Sequence, residues 1–161
     1  MLDTLHTSLG YILTRSFPEC AVVLCLGCYL LKLKISKKTL LNRTLILGLV
    51  VSLIRILPIS FGIHTILSMA CCLFMLSNLS KDSFINCIIA ICKIFVSLIL
   101  SEFIFLYLMT FIFKIPESAI VNNYTIQGAI ITLPSLLILV AIVVAIQLVS
   151  DKLKDKFSLA N

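Results

Sequence analysis

Charge is what this 161-residue sequence has least of: 12% of its residues are charged against 61% apolar, and the mean hydropathy is +1.19. Soluble domains carry about 25% charged and about 45–50% apolar residues, so the chain has roughly half the charge that a water-facing shell needs. That excludes an ordinary soluble fold and makes the bilayer the main solvent. No polar connection runs beyond about a dozen residues, which disfavours a large extramembrane catalytic domain. Strict apolar/polar alternation is missing, and a transmembrane barrel requires it. No basic segment precedes the first apolar run and no small-x-small site follows it, which argues against a cleaved signal peptide. Tryptophan is absent; together with an Ile- and Lys-rich composition this is the style of a low-GC bacterium.

What is present is a series of apolar runs. A helix needs about 20 apolar residues to cross a hydrocarbon core of about 30 Å. Runs bounded by charge, proline or amide residues fall at 17–33, 40–57, 62–79, 84–113 and 127–149. They predict an all-α fold, a polytopic helical membrane bundle of about five transmembrane helices in the cell membrane. The fourth run exceeds the core and must tilt, kink or extend into the interface. The fifth contains Pro134, which predicts a kink or a broken start. Within residues 1–16, Leu2, Leu5, Leu9, Ile12 and Leu13 recur at helical spacing among polar residues. That pattern suits an interfacial amphipathic segment or an extension of the first span. Residues 17–149 then form the membrane domain and 150–161 a short basic tail.

Orientation follows from the basic residues, because Lys and Arg are retained in cytoplasmic loops. Lys32, Lys34, Lys37, Lys38 and Arg43 follow the first run, Lys81 follows the third, and Lys152, Lys154 and Lys156 lie in the tail. All are on one side, while Arg15 and Lys114 are on the other, which predicts an external N-terminus and a cytoplasmic C-terminus. The net charge of +6 then reads as topology information and attraction to anionic lipid, with no nucleic-acid partner.

The seven cysteines, Cys20, Cys25, Cys28, Cys71, Cys72, Cys87 and Cys92, all fall in or at the edge of apolar runs, where free Cys behaves as a small buried hydrophobe. Cys25-Leu-Gly-Cys28 has the spacing of a redox motif or zinc knuckle, but it has no second ligand pair and falls in a predicted helix. Neither a metal nor a cofactor is expected.

Ionisable groups inside spans are functional candidates by default. Counted from the basic side, Arg55 lies about 22 Å along the second run and Glu102 about 27 Å along the fourth. Both belong to the outer third, where an Arg55–Glu102 pair would relieve the desolvation each suffers alone; the bland alternative is a structural pair or a snorkelling arginine. Lys93 lies near the midplane on the face opposite Glu102, sharing a small, polar stripe with Ala90, Ser97 and Ser101 that suits helix packing or a cavity wall. His64 follows a predicted external turn shaped by Pro58 and Gly62, where an imidazole could titrate near neutral pH or cap the helix. Arg55, His64, Glu102 and Lys93 are therefore the candidate ligand-binding or structural polar cluster, with no catalytic residue assigned. His64 and Cys71 are seven residues apart on one helix face, and Gly62-Ile-His64-Thr-Ile-Leu-Ser-Met-Ala-Cys71 partly resembles the accessory-gene-regulator membrane endopeptidases. That resemblance implies a cysteine peptidase. Against it stand the apolar setting of the thiol, the external side, and the missing basic, glycine-rich lead-in.

The segment Ile54-Arg55-Ile-Leu-Pro58-Ile-Ser-Phe-Gly62-Ile-His64-Thr-Ile-Leu67 resembles the N-terminal multi-span sensor domains of clostridial histidine kinases, the peptide-receptor-like class with a GHKL-type ATPase module. The resemblance implies a module that receives a signal at or outside the bilayer and delivers it through its last helix. The twelve residues after Val149 are too few for a dimerisation helix, a phospho-accepting histidine or an ATP site. The expectation is a non-enzymatic sensing or regulatory module whose partners are membrane lipid, a histidine kinase or homologous membrane receptor, or a second copy of itself. The alternatives are a small-solute transporter component using the face around Lys93, and the His64/Cys71 peptidase.

Overall fold

The computed structural model describes residues 2–56, 61–80, 83–115 and 126–159, and among them the chain is helical with no strand. Six α-helices follow in order: α1 (Leu2–Leu30), α2 (Lys37–Ile56), α3 (Phe61–Leu79), α4 (Phe84–Tyr107), α5 (Ile126–Thr132) and α6 (Pro134–Leu159). A π-helical turn, Leu108–Ile112, prolongs α4. Four apolar stretches are long enough to cross a membrane: Leu13–Leu30, Lys37–Ile56, Phe84–Ile112 and Ile126–Lys152. The remaining predicted span, Ile63–Leu79, is shorter and lies at the lower limit of about 17 residues for a spanning helix. The architecture is thus four to five long apolar helices, compatible with a membrane bundle.

The surface confirms the inversion expected of such a bundle. Leu53, Ile66, Phe103, Phe111 and Leu137 stand 65–73% exposed, far more apolar area than a water-soluble monomer presents. The core is small residues and aliphatics together: Cys20, Val23 and Leu24 of α1 meet Leu47 and Val51 of α2, Cys72 and Leu76 of α3, Ala90 and Ile94 of α4, and Leu139 and Val143 of α6. Helix α1 packs against α2, α3, α4, α5 and α6, so it is the internal strut. Its approach to α2 is close because Gly48 leaves room for the Phe17 ring: a Cβ at Gly48 would lie 2.7 Å from Phe17 Cδ1.

Helix ends are set by local chemistry. Ser36 caps α2, its Oγ accepting from the Thr39 N–H at 3.2 Å, as an N-cap serine does. The helix accordingly starts at Lys37, one turn before the apolar run. Helix α1 ends with Lys32 at φ 52, the Leu33 N–H reaching the Cys28 carbonyl at 2.9 Å and the Lys32 N–H the Tyr29 carbonyl at 3.1 Å. That is a Schellman arrangement with lysine where glycine is usual. Residues 2–16 continue the first span as one helix, although Pro18 lies inside it.

The expected break at Pro134 is real. Proline has no N–H to continue the ladder, and Leu133 separates α5 from α6. The Ile130 carbonyl accepts instead from the Leu133 N–H at 3.2 Å. Thr132 Oγ1 donates to the Ala129 carbonyl at 2.9 Å and Ser135 Oγ to the Thr132 carbonyl at 2.8 Å. Hydroxyls of this kind are what allow a broken helix at membrane depth.

Candidate functional site

The candidate site is built on α1. Arg15 and Glu19 lie four residues apart, hence on one side of that helix. They face different neighbours. Arg55, on the last turn of α2, donates from Nη2 to Glu19 Oε1 at 2.9 Å and Oε2 at 2.8 Å. Its Nη1 donates to Ser16 Oγ at 3.1 Å, and Ser16 is fully buried. Glu102 of α4 accepts from Arg15 Nη2 at 2.6 Å. In place of an Arg55–Glu102 pair there are two pairs, each closing on α1, which supplies an acid to α2 and a base to α4.

The geometry corrects the depth argument without discarding it. Arg55 and Glu102 do lie toward the same end of the bundle, but α1 touches both α2 and α4 and its own charges are nearer to each. Arg15, expected outside the membrane, is inside the network. Glu19 carries no motif. Its available signal is that it is the sole acid within residues 17–33 and falls one helical turn after an arginine.

The two pairs differ in setting. Side-chain exposure is 27% for Arg55 and 15% for Glu19, against 23% for Arg15 and 42% for Glu102. The Arg55–Glu19 pair is more enclosed and has a hydroxyl as a third member, so it meets the condition under which removing one partner strands a desolvated charge. Arg15–Glu102 is open on its acid side. Together the four charges cancel, as helices long and apolar enough to span a bilayer require.

The other candidates are not drawn in. Lys93 is half-buried on α4, forms no ion pair with a described residue, and lines neither cavity described below. Ala90, Ser97 and Ser101 of its stripe are buried; Ser101 Oγ donates to the Leu98 carbonyl at 2.8 Å, while Ser97 Oγ has no partner among the described residues. The stripe is a packing face beside Lys93. His64 Nδ1 is buried and has no hydrogen-bond partner among the described residues, and no hydrogen bond joins it to Cys71, which packs against the core. Pro58 lies outside the described residues, and Gly62 falls in the first turn of α3. No group of three His, Cys, Asp or Glu among the described residues could hold a metal ion.

Two cavities of about 420 Å³ each are present. One, between α1 and the break at Pro134, is walled by Val22, Ile130, Leu133, Leu136, Leu137 and Val140. The other lies at the basic end, where the end of α1 meets the start of α2 and the later part of α6. Comparison with protein-family models, curated proteins and solved structures returns no match.

Proposed function

We propose that the chain is an integral membrane sensing module without catalytic activity, in the cell membrane, with its N-terminus outside and its C-terminus in the cytoplasm. The observation that supports this is the convergence of both ion pairs on α1. A ligand or partner that competes for the more open Arg15–Glu102 contact changes how α1 sits against α4. Since α4 and α1 both pack against α6, the change reaches the helix that leads to the basic tail. Binding energy can shift such an arrangement only by its difference between the paired and unpaired states. The resemblance around Arg55, Gly62 and His64 to kinase sensor domains makes a histidine kinase or homologous receptor the partner, with a second copy of this chain as the other candidate.

The test is photo-cross-linking in native membranes from Phe103 and Tyr107, exposed residues flanking Glu102 on α4. Adducts with a membrane histidine kinase, a homologous receptor or a second copy are expected, and Glu102→Gln should change their yield. Absence of all three adducts overturns the reading.

A further inference from the structure

The cavity at the basic end is lined by Lys32, Leu33 and Ile35 after α1 and Leu40 of α2, and by Gln147 and Asp151 of α6. Its volume of about 420 Å³ falls in the range of about 300–1,000 Å³ typical of ligand sites. Gln147 is only 9% exposed. Its amide nitrogen donates to Asp151 Oδ1 at 3.1 Å and Oδ2 at 3.3 Å. That bond orients the side chain and leaves its carbonyl oxygen without a partner among the described residues. Acceptors therefore predominate at the α6 side: a carboxylate and an amide oxygen.

The opposite rim has the opposite sign. Lys32 holds φ 52, a left-handed conformation where glycine would be unstrained and a side chain is disfavoured. The Schellman turn that ends α1 thereby sets a lysine at the rim of the cavity. The cavity thus offers an anion-binding ammonium and a cation-binding pair of acceptors, with an apolar wall alongside. Its complement is a zwitterion attached to something apolar.

We propose that this cavity binds the headgroup of an aminophospholipid of the phosphatidylethanolamine type. The lipid phosphate meets Lys32, its primary ammonium donates to Asp151 and to the Gln147 carbonyl, and the start of the acyl region lies against Leu33, Ile35 and Leu40. A choline headgroup has no N–H to donate, and a glycerol headgroup has no cation to offer Asp151. The site therefore discriminates by headgroup and not by net charge alone, unlike the surrounding lysines, which attract any anionic lipid.

The experiment is native mass spectrometry of the full-length protein, purified in detergent and titrated separately with phosphatidylethanolamine, phosphatidylcholine and phosphatidylglycerol of identical acyl chains. Phosphatidylethanolamine should be retained about tenfold over phosphatidylcholine, as expected for charge-assisted hydrogen bonds present in one and absent in the other. Asp151→Asn should abolish that preference. Lys32→Gly keeps a residue suited to the left-handed backbone, so it should preserve thermal stability while weakening phosphatidylethanolamine retention. Equal retention of the three lipids, an unchanged preference in Asp151→Asn, or undiminished phosphatidylethanolamine retention in Lys32→Gly overturns the proposal. Displacement of the lipid by an equal concentration of soluble phosphoethanolamine would also overturn it, because the site would then belong to a free zwitterion.

Discussion

At one end of the bundle two arginines sit against two glutamates inside the helices; at the other, Lys32, Lys34, Lys37 and Lys38 stand exposed within seven residues that contain no acid. The two ends solve different problems. Charges inside apolar helices must be neutralised by geometry, because the desolvation of an isolated ion is prohibitive. Charges at an interface keep their hydration and act through their sum, attracting anionic lipid and fixing which side is retained in the cytoplasm. Each paired residue is thus tied to one partner, whereas the exposed lysines are interchangeable, apart from Lys32 on the cavity rim.

The sharpest way to break this contrast is within the enclosed pair. Glu19→Ala should lower stability by about 3 kcal/mol or more, because it strands the Arg55 guanidinium with Ser16 alone. The double variant Glu19→Leu with Arg55→Met should lose less than either single change, since both charges go together. Thermal unfolding in detergent reads both, and a double variant as unstable as the sum of the singles would mean that the pair does not form. Next in size is the helix contact that brings this pair together. Gly48→Ala should lose about 1–3 kcal/mol by overpacking against Phe17, and combining it with Phe17→Leu should recover much of that loss in the same unfolding assay. The smallest effect belongs to the open pair. Arg15→Gln should lose about 1 kcal/mol, because the glutamine amide can still donate a hydrogen bond to Glu102, whose carboxylate is 42% exposed and free to adjust. A loss as large as that of Glu19→Ala would erase the distinction between the two pairs.

The helices were largely legible because hydropathy and helix ends are local. The runs at 40–57, 62–79 and 84–113 correspond to α2, α3 and α4 with its π-helical turn, and the proline in the fifth run falls at the observed break. The ends that shifted did so for local reasons as well: the Ser36 cap moves α2 back to Lys37, and the Schellman turn stops α1 before Lys32. Partner choice was not legible in the same way. Counting residues along two helices places Arg55 and Glu102 at similar depth, but depth says nothing about which helix runs between them. It also passes over Glu19, whose importance appears only when α1 is set against α2.

The sequence by itself determined that this is a helical, apolar bundle with a basic end, because composition, run length and capping act over a few residues. Only the tertiary structure decided that α1 is the strut, that Arg55 belongs to Glu19 and Glu102 to Arg15, and that Lys32 and Asp151 share a cavity. Those facts depend on which helices touch, and contact between residues 36 or 87 positions apart in the chain is set by packing, which no local pattern encodes.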